Sequence, residues 1–232
     1  IRHRFPVEFR AGTADQVTSD ADSDGASNPL TSLTGTTSTK LLWPVNSIPA
    51  TNTFCSVSRY ASLDSTLQER ILSCSGYWSE GSFVDIWFHG HGSSNRGVAY
   101  YDSYKTNDNS MGVLDDWLVM CGTSDNTDPA NIIIDQLEVG TSDSNFYTPA
   151  LQLNVNHGHN SDFELHSVYI WNAELSNVQM KHVTSALRAQ IGVIQDGVNQ
   201  VAVAPKVHAP TANEQEQSRD TLVCDINTTH VA

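Results

Sequence analysis

Basic residues are scarce in this chain: 12 Lys and Arg stand against 26 Asp and Glu, a formal charge of −14 over 232 residues. Nucleic-acid binding rests on lysine and arginine neutralising phosphate, so that role is excluded, and anionic membrane surfaces are disfavoured on the same ground. Long apolar runs are missing too. No stretch approaches the roughly 18–20 residues of a spanning helix, so no membrane span is expected. The four cysteines (Cys55, Cys74, Cys121, Cys224) form no CxxC pair, which argues against a zinc or thioredoxin-type centre. There is no HExxH run and no Gly-x-Ser-x-Gly elbow, the local patterns of zinc proteases and α/β-hydrolases.

Ser, Thr, Asn, Asp and Gly are plentiful instead, while only 16% of residues are charged. That mixture suits a turn-rich β-protein whose surface is polar through hydroxyls and amides, as in extracellular β-proteins. Four cysteines are an even set that allows three pairings, and all four are disulfide candidates. The chain begins at Ile1 rather than Met, read here as a processed chain or a segment that has lost a signal peptide. A sequon at Asn227-Thr228-Thr229 makes Asn227 a glycosylation candidate. A secreted or extracellular surface location is expected.

Three regions separate by composition. Residues 1–44 open on the short basic piece "IRHRFPVEFR" and continue into a Ser/Thr/Asp/Gly-rich stretch with almost no large apolar residues. Such a stretch cannot offset its ordering entropy by burial. It is an N-terminal arm that acts as a linker, a long surface loop, or a segment held by something else. Residues 45–192 carry short alternating runs such as "TFCSVSRYA", "FVDIWFHG", "LQLNVN" and "FELHSVYIWN", separated by turn residues. Strands with one buried face read this way, and many in series indicate an all-β sandwich or jelly roll. One helix stands out. Ser176 caps it, Gln179 completes a capping box, Met180, Val183, Leu187 and Ile191 make an apolar stripe, and Gly192 ends it. It is expected to close the edge of the sandwich. Residues 193–232 form a polar C-terminal arm with "VAVAP" and "TLVCDI" as candidate strands.

The central region resembles the concanavalin A-like jelly roll, and within it the laminin-G-like domains. "TFCSVSRYA" with "RILSCSG" resembles the opening strands. "DWLVMCGTSDNTDPANIIIDQLEVG" resembles a strand, turn and strand with an Asp-Gly-like tip, where Gln136 stands in the usual place of Gly. "LQLNVN" through "SALRAQIG", including "IWNAELS", resembles the closing strands and terminal helix. The resemblance spans roughly residues 45–192. It implies the fold and a habit of binding sugars or proteins, without implying one activity.

Retaining glucanases on the same jelly roll carry a strand resembling Glu-Ile-Asp-Ile-Glu-Phe. Aligned on Asp85, "FVDIWF" puts Phe83 and Trp87 at the two Glu positions. Retaining hydrolysis needs two carboxylates about 5–5.5 Å apart, and neither ring supplies one. No catalytic residue is assigned, and glycoside hydrolysis is the weakest of the readings. His89-x-His91 and His157-x-His159 each put two imidazoles on one side of an extended chain. The glycines between them suit turns, so loop contacts or hydrogen bonds to sugar are favoured over metal ligation. With Asn95, they are ligand-binding candidates. Trp78 and Tyr104, beside Gly/Ser/Asn-rich turns, are candidate sugar-stacking rings, whereas Trp117 and Trp171 are read as core.

For a cation, Asp20, Asp22, Asp24 and Gly25 follow the order of a calcium loop, with Asn28 at the ninth position. The twelfth is Thr31 rather than Glu and no helices flank it, so an EF-hand is excluded. Calcium is a possible cofactor there, and an acidic linker is the default. The favoured role is a non-catalytic adhesion or assembly module in a larger surface structure, a homo- or hetero-polymer such as a filament. Its partners would be neighbouring protein subunits, glycans or both. The alternative is a soluble glycan-binding lectin.

Overall fold

The computed structural model describes residues 8–78, 82–84, 86–106, 112–124, 131–141, 150–157, 159–192 and 221–224, the side chains of 8–11, 75–78, 82–84 and 221–224 apart. The strands pair antiparallel into two sheets. The first runs β1 (Glu8–Ala11), β4 (Lys40–Leu42), β13 (Gln152–Val155), β6 (Leu72–Trp78), β8 (Trp87–Gly92) and β9 (Asn95–Tyr101), with β7 (Ser82–Val84) also on β6. The second runs β12 (Leu137–Glu138), β11 (Ile132–Ile134), β10 (Leu118–Thr123), β5 (Thr53–Tyr60), β14 (Phe163–Trp171), β3 (Thr31–Gly35) and β2 (Ala14–Thr18), with β15 (Thr221–Cys224) also on β14. The expected all-β sandwich is therefore present. Among the described residues no helix is long and apolar enough to cross a membrane.

The main core lies between the sheets. Leu41, Leu72 and Leu153 of the first sheet meet Phe54, Leu118 and Phe163 of the second. The second sheet is buried on its other face as well. There Cys55, Val57, Val119, Cys121 and Ile133 pack under Met180, Leu187 and Ile191 of α1 (Asn177–Ile191), with Ala26 and Leu30 alongside. Burial on both faces explains why β10 and β11 read as unbroken apolar runs, "LVMC" and "III", rather than as alternation. Each large apolar side chain that α1 buries stabilises its docking by about 2 kcal/mol.

The helix itself matches the reading of its sequence. Ser176 accepts from the Gln179 backbone, Gln179 answers to the Ser176 backbone, and Gly192 takes φ 75° at the C-cap. Its position differs from expectation. It covers the outer face of the second sheet instead of closing an edge, because Cys55, Val57 and Ile133 leave an apolar face there that needs a cover.

The first 44 residues also differ from an arm. From Glu8 onward they supply β1 and β4 to one sheet and β2 and β3 to the other, and Leu33, Leu41 and Trp43 join the inter-sheet core. Of the three alternatives, the segment is the one held by something else. Its strand β3 is bonded on one side to β14 and on the other to β2, so backbone pairing does what its few apolar side chains do not. At the far end, the expected strand in "TLVCDI" is β15, which pairs Cys224 opposite Val168. The "VAVAP" strand and Asn227 lie outside the described residues.

Of the four cysteines, Cys55 and Cys121 are bonded. They sit directly opposite each other on β5 and β10. Cys74 is buried in the inter-sheet core and takes no part in that bridge.

Two hairpins turn on non-glycine residues at positive φ. Ser93 and Ser94, at 51° and 60°, join β8 to β9, and Asp135 and Gln136, at 49° and 77°, join β11 to β12. Such two-residue turns want Asn-Gly or Gly-Gly because both central residues must adopt left-handed backbone. Gln136 is held there by its side chain, which donates to the Lys181 carbonyl at 2.9 Å and the Thr184 hydroxyl at 2.6 Å on α1. Asp135 is held by Arg188 at 2.7 Å and faces Arg96 at 3.8 Å.

Two histidines run through the middle of the sandwich. His89 and His91 are both fully buried on β8, which corrects their reading as loop residues. Nδ1 of His89 accepts from the Tyr101 hydroxyl at 2.6 Å, and its Nε2–H donates to the Met120 carbonyl on the opposite sheet at 3.4 Å. A carbonyl only accepts, so Nε2 carries a proton, and burial keeps the ring neutral, which leaves Nδ1 to accept. His91 stands edge-on to Tyr60 at 4.7 Å, with Ser58 Oγ 3.5 Å from its Nδ1. Burial pushes His89 down to about 3, and burial followed by the charge of Arg96 holds His91 well below the usual imidazole range.

Two predictions follow from these contacts. Gln136→Ala keeps the left-handed backbone but loses two hydrogen bonds, so it lowers the unfolding free energy by about 2 kcal/mol. Gln136→Gly loses the same bonds yet relieves the backbone, and recovers about 1 kcal/mol of that in urea unfolding. The histidines set the acid side. Unfolded, each titrates near 6.5, so below that value the unfolded chain binds more protons and the fold weakens. Stability is full above about pH 6.5 and falls by about 1.4 kcal/mol per pH unit for each imidazole as pH drops, for His89 until about 3. Urea midpoints from neutral to mildly acidic pH will show this slope, and His91→Gln will roughly halve it.

Candidate functional site

Strands β8 and β9 alternate as their pairing dictates. Trp87, His89 and Tyr101 point into the core, where their rings stack, and the residues between them point out. Phe88 and Tyr100 are direct partners across the two strands, and their rings lie parallel with centroids 5.5 Å apart. After β9 the chain turns at Asp102, whose φ is 61°, and folds back along the strand. Lys105 N–H donates to the Ala99 carbonyl and Ala99 N–H to Thr106 Oγ1.

This return sets Tyr104 against the pair. It meets Tyr100 at 5.2 Å and Phe88 at 6.1 Å, at angles near perpendicular to both. Three near-equal separations place Tyr104 astride the pair rather than beyond either ring. Its side is open to solvent: Tyr104 is 50% exposed. The Arg70 guanidinium lies over Phe88, 4.3 Å from the ring centroid, a cation–π contact that braces the stack. The result is an aromatic platform on the outer face of the first sheet. A half-exposed ring held by two ring neighbours can receive the apolar face of a flat ligand at little further entropic cost.

Inward along the same face lie polar residues. Register sets Phe88 beside Ser73, Ser73 beside Asn154, and Asn154 beside Leu42. Ser73 donates to Asn154 Oδ1, and both are buried.

The other candidates gather at one rim. Ser94 N–H donates to the Gln68 carbonyl at 2.7 Å, and Tyr60 O–H donates to the Glu69 carbonyl at 2.9 Å. Glu69 then reaches the loop after β13: its Oε2 accepts from Asn160 N–H at 3.0 Å and lies 3.3 Å from His159 Nδ1. Lys40 Nζ donates to the His159 carbonyl at 2.5 Å, and desolvation, opposed by Glu69, holds that ammonium below the usual lysine range. Asn95, His157 and His159 are thus brought to one end of the sandwich. His89 and His91 are not, since β8 continues as strand to Gly92 and the turn is Ser93–Ser94.

The remaining predicted residues fall elsewhere. Trp78 ends β6, opposite Ser82, and its side chain is outside the described residues, as is Asp85. Trp117 is buried, as expected, while Trp171 is only partly buried beside Tyr169 on the outer face of the second sheet. The calcium ligands do not converge. Asp24 Oδ2 pairs with Arg59 at 3.1 Å, and Asn28 donates to the Gln190 carbonyl at the end of α1. Among the described residues no three His, Cys, Asp or Glu side chains are grouped as a metal site.

Sequence reasoning did not assign Glu69, Arg70, Phe88 or Tyr100 to a site. Phe88 and Tyr100 had a signal, since each alternates with a core residue on either side. Glu69 and Arg70 had none, because they join the site only through pairing to another strand.

No family model matches the chain, and no curated protein matches it. Solved structures do. Trypanosoma rangeli sialidase in complex with sialic acid shares 10% identity over 78% of this chain, with a TM-score of 0.52. The receptor-binding domain of botulinum neurotoxin C/D mosaic serotype shares 15% over 78%, TM-score 0.50. Domain 4 of AbnA, an extracellular arabinanase from Geobacillus stearothermophilus in complex with arabinotriose, shares 9% over 78%, TM-score 0.50. The chain spans 33% of the sialidase, 46% of the neurotoxin domain and 89% of the arabinanase domain. At such identities the likeness concerns the fold alone: this chain is an all-β, two-sheet antiparallel sandwich of the concanavalin A-like kind, with α1 on the outer face of its second sheet.

Proposed function

We propose that this chain is an extracellular glycan-binding module, laminin-G-like in character, that works without catalysis. One observation carries the reading: Tyr104 stands half-exposed on a braced aromatic platform, on the outer side of the first sheet. Sugar rings offer an apolar face that stacks on an exposed aromatic ring, and hydroxyls that neighbouring polar groups bond. Domain 4 of the arabinanase, which this chain parallels over most of that domain's length, was solved with arabinotriose. The Cys55–Cys121 bridge supports an oxidising, extracellular setting.

The assembly reading has lost one of its grounds. It needed an N-terminal arm to pass between subunits, and residues 8–44 are instead built into both sheets of their own chain. Glycan binding is therefore placed first.

The test is a printed glycan array followed by calorimetry on the hits. Tyr104→Ala will weaken the best neutral hit about tenfold, a loss of about 1.4 kcal/mol. Tyr104→Phe will retain most of the affinity. A Tyr104→Ala variant that binds every hit as the parent does would sink the platform as the site.

A further inference from the structure

The platform and the rim are joined by consecutive residues. Glu69 reaches His159 and Asn160, and Arg70 lies over Phe88. Both are partly exposed. Phe88 connects the two ends. Arg70 covers its ring at 4.3 Å, Tyr104 stands 6.1 Å from its centroid, and its edge reaches the backbone at Gly92, where a Cβ would lie 3.2 Å from Cε2. Two residues on, Ser94 N–H bonds the carbonyl of Gln68, the neighbour of Glu69. Tyr104, Phe88 with Arg70, and the Glu69 cluster thus follow one another as separate contact points.

Resting on the glycan reading above, we infer that the site is a strip which takes an internal stretch of a linear, neutral oligosaccharide rather than a single terminal sugar. Tyr104 and Tyr100 seat one unit. The guanidinium of Arg70, spread over Phe88, lies alongside the next. The Glu69–His159–Asn160 cluster bonds hydroxyls of a unit further on, where a carboxylate accepts from sugar O–H groups and an imidazole completes the pair. Neutrality follows from charge. The chain carries −14 overall, which repels uronates and sialates at a distance. Within the strip, Arg70 and Lys40 are both engaged, over Phe88 and on the His159 carbonyl.

Chain length tests this directly. Calorimetry with neutral arabinan- and xylan-derived oligosaccharides, from mono- to hexasaccharide, will show affinity rising at least tenfold with length and then levelling. Glu69→Gln and His159→Ala, each checked for an unchanged melting temperature, will lower the plateau several-fold and leave the monosaccharide affinity as it was. Tyr104→Ala will lower the whole series. If short and long chains bind alike, or the rim variants match the parent on the longest chain, the strip is wrong while the platform stands. If the plateau falls with Tyr104→Ala unchanged, the rim alone is the site. If no sugar of the series binds, both readings fall. A polygalacturonate series that binds better than the neutral one would overturn the neutrality.

Discussion

The bond between the Tyr101 hydroxyl and His89 does more than fill the core. It fixes β8 against β9 from the inside, because Trp87, His89 and Tyr101 stack there as one array. A strand pair held in register on one face is held on the other. Phe88 therefore has to lie beside Tyr100, and the chain returning after Asp102 has to meet both with Tyr104. The outer platform is the reverse side of an inner polar contact. Slipping the pair by one residue would turn Phe88 and Tyr100 toward the core and the histidine away from it.

That contact is tolerable only for a neutral imidazole with both nitrogens engaged, which His89 has. His91 is less well served. Among the described residues its Nε2 has no hydrogen-bond partner, and it follows Gly90, whose φ of 92° only glycine adopts without strain, where the β8–β9 register skips Gly97. The same few residues thus hold the sheets together and make the fold sensitive to acid.

The fold class was legible because alternation and turn residues recur through 45–192, and the helix was legible down to Ser176, Gln179 and Gly192, since capping is local chemistry. What escaped depends on partners far along the chain. β3 carries one large apolar residue, Leu33, and its order comes from backbone pairing to β14, some 130 positions later in the chain, which composition cannot report. His89 and His91 were rightly placed on one side of an extended chain, but nothing local says which side faces the core. The turn was sought at glycine and found at Ser93–Ser94, two residues with no intrinsic preference for left-handed backbone. Gln136 is the opposite case. Its departure from glycine was visible in the sequence, and the reason for it is visible only once α1 lies against it.

The position of the Cys55–Cys121 bond carries a consequence for biosynthesis. Both sulfurs are fully buried under Met180, Leu187 and Ile191, and α1 follows both strands in the chain. An oxidant reaches the two thiols only while the helix is undocked. The bridge is therefore sealed in when the helix docks, and its formation belongs to the period when β5 and β10 are paired and their outer face is still bare.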